Sequence, residues 1–320
     1  MVRVLHAIIN KVWREEVTPT DWAKMVVSPV YKKGDPLDPE NYRAIALLSI
    51  PGKVFWRVIG ERMKPRIEEV LSKRQFAFRP GRGTTDAIFV VRQMVEKARE
   101  KEKHFHFNYV DFKAAFYTIW RKALWRMLEA IGIERKIVRI IKECYDKTQC
   151  SITVDGDLTK WFPVGVGVGV RQGCSVSPSL FNVYLEFVME ELESANNYFG
   201  YSEDLVTEIR YGDDTTLIAG GIEQQRVVTE ELEQACRRWG LKINAGKSKT
   251  MSPSNEVIAI DNEDLEHVEE FTFLGSVVPG SESNIKWTAL AAAAFGRLRR
   301  TVWNRRDVSR RLKIILYKAL

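Results

Sequence analysis

Tyr211-Gly212-Asp213-Asp214 constrains this chain more than any other stretch. Two adjacent carboxylates follow a glycine and stand between β-favouring runs, Glu208-Ile209-Arg210-Tyr211 before and Thr215-Thr216-Leu217-Ile218 after, which reads as a hairpin with Gly-Asp-Asp at its tip. Like charges on a tight turn repel unless something positive sits between them. A pair of divalent cations bridging a phosphate meets that need, because Mg²⁺ takes few protein ligands and completes its shell with phosphate oxygens and water. A bare Asp-Asp is also an ordinary solvated turn, so the reading depends on what the rest of the chain supplies.

A third carboxylate supplies the missing corner. The run from His104 to Asp111 alternates loosely, ends on an acid and passes at once into a helix-like segment. An acid at a strand exit, well upstream of a Gly-Asp-Asp hairpin, is how nucleotide polymerases assemble a two-metal site from strands that lie side by side. Taken alone, Asp111 could equally cap a helix.

The blocks that surround these acids carry a resemblance. In order they are Val30 to Asp35; Asn41-Tyr42-Arg43 with Leu47-Leu48-Ser49 and Gly52-Lys53; Phe78 to Asp86; Val110 to Phe116; and Gly169 to Cys174 with Ser177-Pro178. Tyr211 to Asp214, Gly240 to Asn244 with Lys247, and Phe273-Leu274-Gly275 complete the series. From about residue 20 to the C-terminus the chain resembles the reverse transcriptase of non-LTR (LINE-type) retrotransposons. The resemblance implies an α+β right-hand polymerase: fingers over residues 1–103, a ferredoxin-like palm over 104–280 whose motif loops also contribute to the fingers, and the start of a helical, basic thumb over 281–320.

It also implies roles. Asp111, Asp213 and Asp214 would hold two Mg²⁺ ions, with Mn²⁺ a possible substitute. Arg43 and Lys53 would clamp the triphosphate, Arg by bidentate contact and Lys as a point charge, although either could be ordinary surface charge. Gln172 and Gly173 would shape the floor under the incoming nucleotide and the template base, and Lys247 could donate a proton to pyrophosphate. Phe116, five residues beyond Asp111, would be the ring that excludes a ribose 2′-hydroxyl; its plainer reading is a core phenylalanine. Arg79 and Arg82 would touch the template backbone. The implied partners are an RNA template, a DNA primer and dNTPs, with an endonuclease expected in the full element outside this chain. The implied location is intracellular, in the nucleus.

Three departures accompany the resemblance. Gly212 stands where the family has alanine, which a tight turn accommodates. Tyr117 stands where the family usually has a second acid that fixes the strand-to-helix turn. The run Val164 to Val170 repeats a Gly-Val step before Arg171-Gln172-Gly173. Two alternatives to an RNA-directed DNA polymerase follow. One is a catalytically impaired nucleic-acid-binding remnant, and the other an RNA-directed RNA polymerase, a class in which Gly-Asp-Asp is common and Phe116 is not expected.

Charge location points the same way. Residues 285–320 hold ten basic residues and one acid, Asp307, a local +9 in a chain of net +7. Apolar positions interleave with these charges, so the segment reads as helices with one packed and one phosphate-facing side, and Arg305, Arg306, Arg310 and Arg311 are its template–primer candidates. No apolar run is long enough to span a bilayer and no secretory signal opens the chain. Cys144, Cys150, Cys174 and Cys236 have no metal-ligand spacing and suit a reducing compartment.

Periodicity predicts helices near the N-terminus (Val4, Leu5, Ile8, Ile9, Val12), over about 52–71 and 85–101, around Ala123–Leu128, from Ser177-Pro178 onward, and around Val228–Trp239. Strands are expected around 104–111, 150–155, 208–218 and 271–278, with a proline-punctuated stretch from Pro29 to Pro39. The order strand, helix, strand pair, helix, strand suits a ferredoxin-like sheet.

Overall fold

The computed structural model describes residues 2–102, 105–154, 156–164, 167–196, 208–253, 256–278 and 283–319. Part of the Gly-Val run, Gly165 and Val166, lies outside them.

The central sheet is antiparallel and takes the order Glu266–His267, Lys249–Met251, His106–Val110, Asp214–Ala219, Glu208–Tyr211, apart from its parallel outer pair. Numbering the four main strands along the chain gives 4-1-3-2, the ferredoxin-like order expected from the sequence. His106–Val110 is buried along its whole length because both faces of the sheet are covered. Phe107 and Tyr109 join Ala87 and Val91 of the Thr84–Glu100 helix on one face. Asn108 turns to the other face, where its Nδ2 donates to Thr229 Oγ1 of the Ile222–Arg238 helix at 2.7 Å, and Val110 joins the main core there.

That main core is organised by the Ser177–Asn196 helix, in which Leu180, Phe181, Tyr184, Leu185 and Val188 are fully buried. Apolar residues on nearly every side of this helix mark it as interior rather than surface. Phe55, Trp56, Ile59 and Met63 of the Ile50–Val70 helix pack into the same core. Ser49 caps that helix by accepting from the Gly52 N–H, as a serine before a helix start should.

A second sheet goes beyond what the sequence predicts. Lys24–Tyr31 pairs antiparallel with Tyr42–Leu47 and parallel with Gln149–Val154. Prolines hide the first of these strands. Pro29 lies beyond the parallel pairing, which covers only Lys24 to Val27, so at that point the strand has one neighbour and the missing N–H is tolerated. This sheet joins residues before 103 to residues near 150, and the Thr84–Glu100 helix packs on the central sheet. The spatial division therefore does not fall at one point in the chain. The helix Arg135–Asp146 is a further element that the sequence reading did not name.

The C-terminal part holds the helices Ser283–Arg297 and Arg310–Ala319 with a π-helical turn at Arg299–Trp303. Phe295 stacks on Trp303 with ring centroids 4.6 Å apart, and Lys313 Nζ donates to the carbonyls of Trp303 (2.9 Å) and Arg305 (2.6 Å). The four cysteines are buried and free. Among the described residues no helix is long and apolar enough to cross a membrane.

Candidate active site

Glu208–Tyr211 and Asp214–Ala219 form the expected hairpin, with Tyr211 opposite Asp214 across a two-residue turn. Gly212 takes φ +70°, a left-handed conformation that glycine adopts without strain, and only the first central residue of the turn does so, as a II′ turn requires. Val110 lies opposite Thr215, so the next pair in register brings Asp111 alongside Asp214. Two acids about a hundred residues apart in sequence thus meet because one antiparallel ladder aligns them.

Asp111 is held from below. Its N–H donates to Ser248 Oγ (3.1 Å), its carbonyl accepts from the Asn244 N–H (2.8 Å), and its Oδ2 accepts from Asn244 Nδ2 (3.2 Å). A cleft of about 120 Å³ opens here, lined by Asp111, Asp214, Thr215, Lys247, Phe271 and Phe273 among others.

The carboxylates feel one another. Burial of the cleft, then Asp213 and Asp111, push Asp214 up to about 6. Burial and the charge of Asp111 also raise Asp213, while Arg43 across the cleft favours its ionised form. By area both residues are open to solvent, so the cleft desolvates the carboxylates without enclosing the side chains.

Three mutually repelling carboxylates, all hard oxygen donors, have the chemistry that a hard divalent cation relieves. No three acidic, His or Cys side chains among the described residues converge into a closed ligand set, so the protein offers an open one. That suits Mg²⁺, which usually keeps waters and takes phosphate oxygens from its substrate.

The nucleotide candidates divide. Arg43 is exposed on the Tyr42–Leu47 strand and acts on Asp213. Gln172 and Gly173 dock on the same strand: the Ala46 N–H donates to the Gln172 carbonyl at 2.9 Å. Gly173, at φ +110°, lies so near that a Cβ would sit 2.5 Å from the Ala46 carbonyl oxygen, hence the glycine. Phe116 is half-buried and stacks on Phe181 with centroids 4.7 Å apart, so much of its ring serves the core. Lys53 is exposed in the first turn of its helix, and no described contact joins it to the carboxylates.

Arg79 and Arg82 correct the expectation of template contact. Arg79 pairs with Glu68 at 3.0 Å and donates to the carbonyls of Ser72 (2.6 Å) and Gln75 (3.1 Å), with its side chain 6% exposed. Arg82 donates to the carbonyls of Lys73 and Gln75 and lies over the Phe76 ring. A loop without a ladder must find donors for its carbonyls, and these two arginines supply them. Arg305 faces Asp307 at the surface, and Arg306, Arg310 and Arg311 are exposed.

The sequence reading missed what anchors the hairpin. Gln75, fully buried, accepts from the N–H groups of both Gly212 and Ala77 at 3.0 Å. Arg210, also fully buried, makes a two-pronged pair with Glu186 (3.1 and 3.2 Å) and lies 3.1 Å from Glu208. A signal existed. Glu186 is an acid inside an otherwise apolar helix, and Glu208 and Arg210 flank Ile209 on a strand buried on both faces, so each needed a buried counter-charge.

Comparisons with known proteins converge on this geometry. Residues 30–278 match the family model described as reverse transcriptase (RNA-dependent DNA polymerase). The chain is 24% identical to the RNA-directed DNA polymerase from mobile element jockey of Drosophila funebris, over 88% of this chain and 31% of that protein. It is 25% identical to the Pol polyprotein from the type-1 retrotransposable element R2 of Popillia japonica, over 73% of this chain and 33% of that protein. The chain therefore spans about a third of each. Among solved structures, apo telomerase from Candida tropicalis superposes with a TM-score of 0.59 at 11% identity, over 84% of this chain and 57% of that one. The same enzyme bound to a fragment of telomeric RNA gives 0.56 at 11% identity, over 78% and 45%. At such identity the likeness concerns the fold: a right-hand polymerase.

Proposed function

This chain belongs to the reverse transcriptase (RNA-dependent DNA polymerase) family, and from that premise we propose that it adds deoxynucleotides to a primer 3′-hydroxyl on an RNA template, as the polymerase segment of a non-LTR mobile element. The observation that carries this reading is the strand register that brings Asp111 beside Asp214, with Arg43 acting on Asp213 from across the cleft.

Asp111, Asp213 and Asp214 would hold a pair of divalent cations, which when bound lower the pKa of the primer hydroxyl and neutralise charge on the leaving pyrophosphate. Asn244 and Ser248 keep Asp111 aimed into the cleft, and Gln75 and Arg210 keep the hairpin from shifting beneath it. Arg43 receives triphosphate oxygens, as a planar fork suits phosphate. Lys247, in the cleft wall, is near enough to the carboxylates to protonate pyrophosphate as it leaves. Residues 1–103 and the strands near 150 act as fingers, the central sheet as palm, and the basic residues from 281 onward as the start of a thumb on the template–primer duplex.

Primer extension tests this. Purified protein with Mg²⁺ and a primed RNA template should incorporate dNTPs and not rNTPs. Asp213→Asn should abolish extension and leave duplex binding intact, because the binding charge lies elsewhere. Normal extension by that variant would sink the assignment, and duplex binding without extension by the wild type would select the impaired-remnant reading.

A further inference from the structure

The single helical turn Ala115–Thr118 sends two adjacent rings into different surroundings. Phe116 packs against the core, whereas Tyr117 is 42% exposed. The Tyr117 hydroxyl lies 2.8 Å from Gln172 Oε1 and 3.1 Å from the carbonyl oxygen of Ala44, the residue after Arg43. The Gln172 backbone is already pinned to that strand through Ala46, and the close approach at Gly173 stops the loop from sliding. What is left free is the rotation of the Gln172 carboxamide, and the Tyr117 hydroxyl is the group that holds it.

A phenol carries one proton, and both of its neighbours present oxygens, so one of them goes without. The shorter contact assigns the proton to Gln172 Oε1. The amide NH₂ then turns away from Tyr117 with both donors unspent. In the opposite amide orientation the NH₂ would be consumed on the hydroxyl and the oxygen would face outward. The hydrogen-bond network decides between the two.

We propose that Tyr117 is a positioning residue: its hydroxyl holds the Gln172 carboxamide so that the NH₂ faces the incoming nucleotide, whose sugar and phosphate oxygens are acceptors. Tyr117, the residue that departs from the family pattern, thus has a use of its own. The inference rests on the polymerase reading and specifies how that site recognises its nucleotide.

Single-nucleotide incorporation on primed RNA tests it. Tyr117→Phe keeps the ring and removes only the hydroxyl. The KM for dNTP should rise about 3- to 10-fold, the worth of one hydrogen bond, with kcat within about 2-fold of wild type. Gln172→Ala should raise KM similarly, and the double variant should be no worse than Gln172→Ala alone, because the two act as one unit. Gln172→Glu can still accept from Tyr117 but has no NH₂; it should also raise KM, and it probes the amide even if Tyr117→Phe folds poorly. Effects that multiply, a fall in kcat at unchanged KM, or a wild-type KM in Tyr117→Phe or Gln172→Glu would overturn the positioning role while leaving the polymerase reading intact. A wild-type protein that extends no primer removes both.

Discussion

Arg210→Met is the most informative perturbation of the scaffold under the catalytic hairpin. Arg210 is fully buried, and its partners Glu186 and Glu208 have side chains 6% and 3% exposed. Removing the guanidinium strands two carboxylates in the interior, and breaking a buried ion pair from one side costs about 3–5 kcal/mol. Unfolding entropy of ~2.1 cal/mol/K per residue over 320 residues gives about 0.7 kcal/mol/K, so Tm should fall by about 4–7 °C. Thermal unfolding should be followed without nucleic acid or divalent metal, since either would shift Tm by binding. Arg226→Met is the control: Arg226 is 37% exposed and pairs with Glu223 and Glu256 at the surface, where pairs contribute about 0–1 kcal/mol. Its Tm should move by less than about 2 °C. Replacing all three buried charges together, Arg210→Met with Glu186→Leu and Glu208→Leu, should recover most of the loss, because a buried triad is worth little against well-packed apolar groups. If Arg210→Met melts with the wild type, the triad does not hold the hairpin and the argument fails.

Two further outcomes follow from the site. Asp214 is raised to about 6, so in the metal-free protein its contribution to stability is full below its ordinary range and is lost as pH rises through about 6. Asp214→Asn should therefore melt above the wild type at pH 8, with the gap closing by about pH 4, and a pH-independent gap in unfolding scans would contradict mutual repulsion among the three carboxylates. Changing Arg305, Arg306, Arg310 and Arg311 to Gln should flatten the salt dependence of duplex affinity by about 0.9 in slope for each phosphate no longer neutralised on B-form DNA, with a somewhat different value on a hybrid. Filter binding across salt concentrations reads this directly, and an unchanged slope would mean that these arginines touch no phosphate.

The sequence alone determined the acids, their order and the strands that carry them. Gly-Asp-Asp between β-favouring runs admits few structures, and strand, helix, hairpin, helix, strand closes into one four-stranded order. Those features are local: turn chemistry and alternation act over a few residues, so they can be read along the chain. Only the tertiary structure decided which side chains meet. Arg79 and Arg82 look like phosphate ligands in a Pro-Gly loop, yet the folded loop consumes them on its own carbonyls. Pro29 looks like a break, yet it lies in a strand where one edge is free. Phe116 and Tyr117 are equivalent rings in the sequence, and only packing against Phe181 on one side and Ala44 with Gln172 on the other tells them apart. Gln75 and Arg210 carry no motif at all. Their roles arise because a buried turn must have its N–H groups and charges satisfied by whatever the fold brings near, and no local pattern records that need.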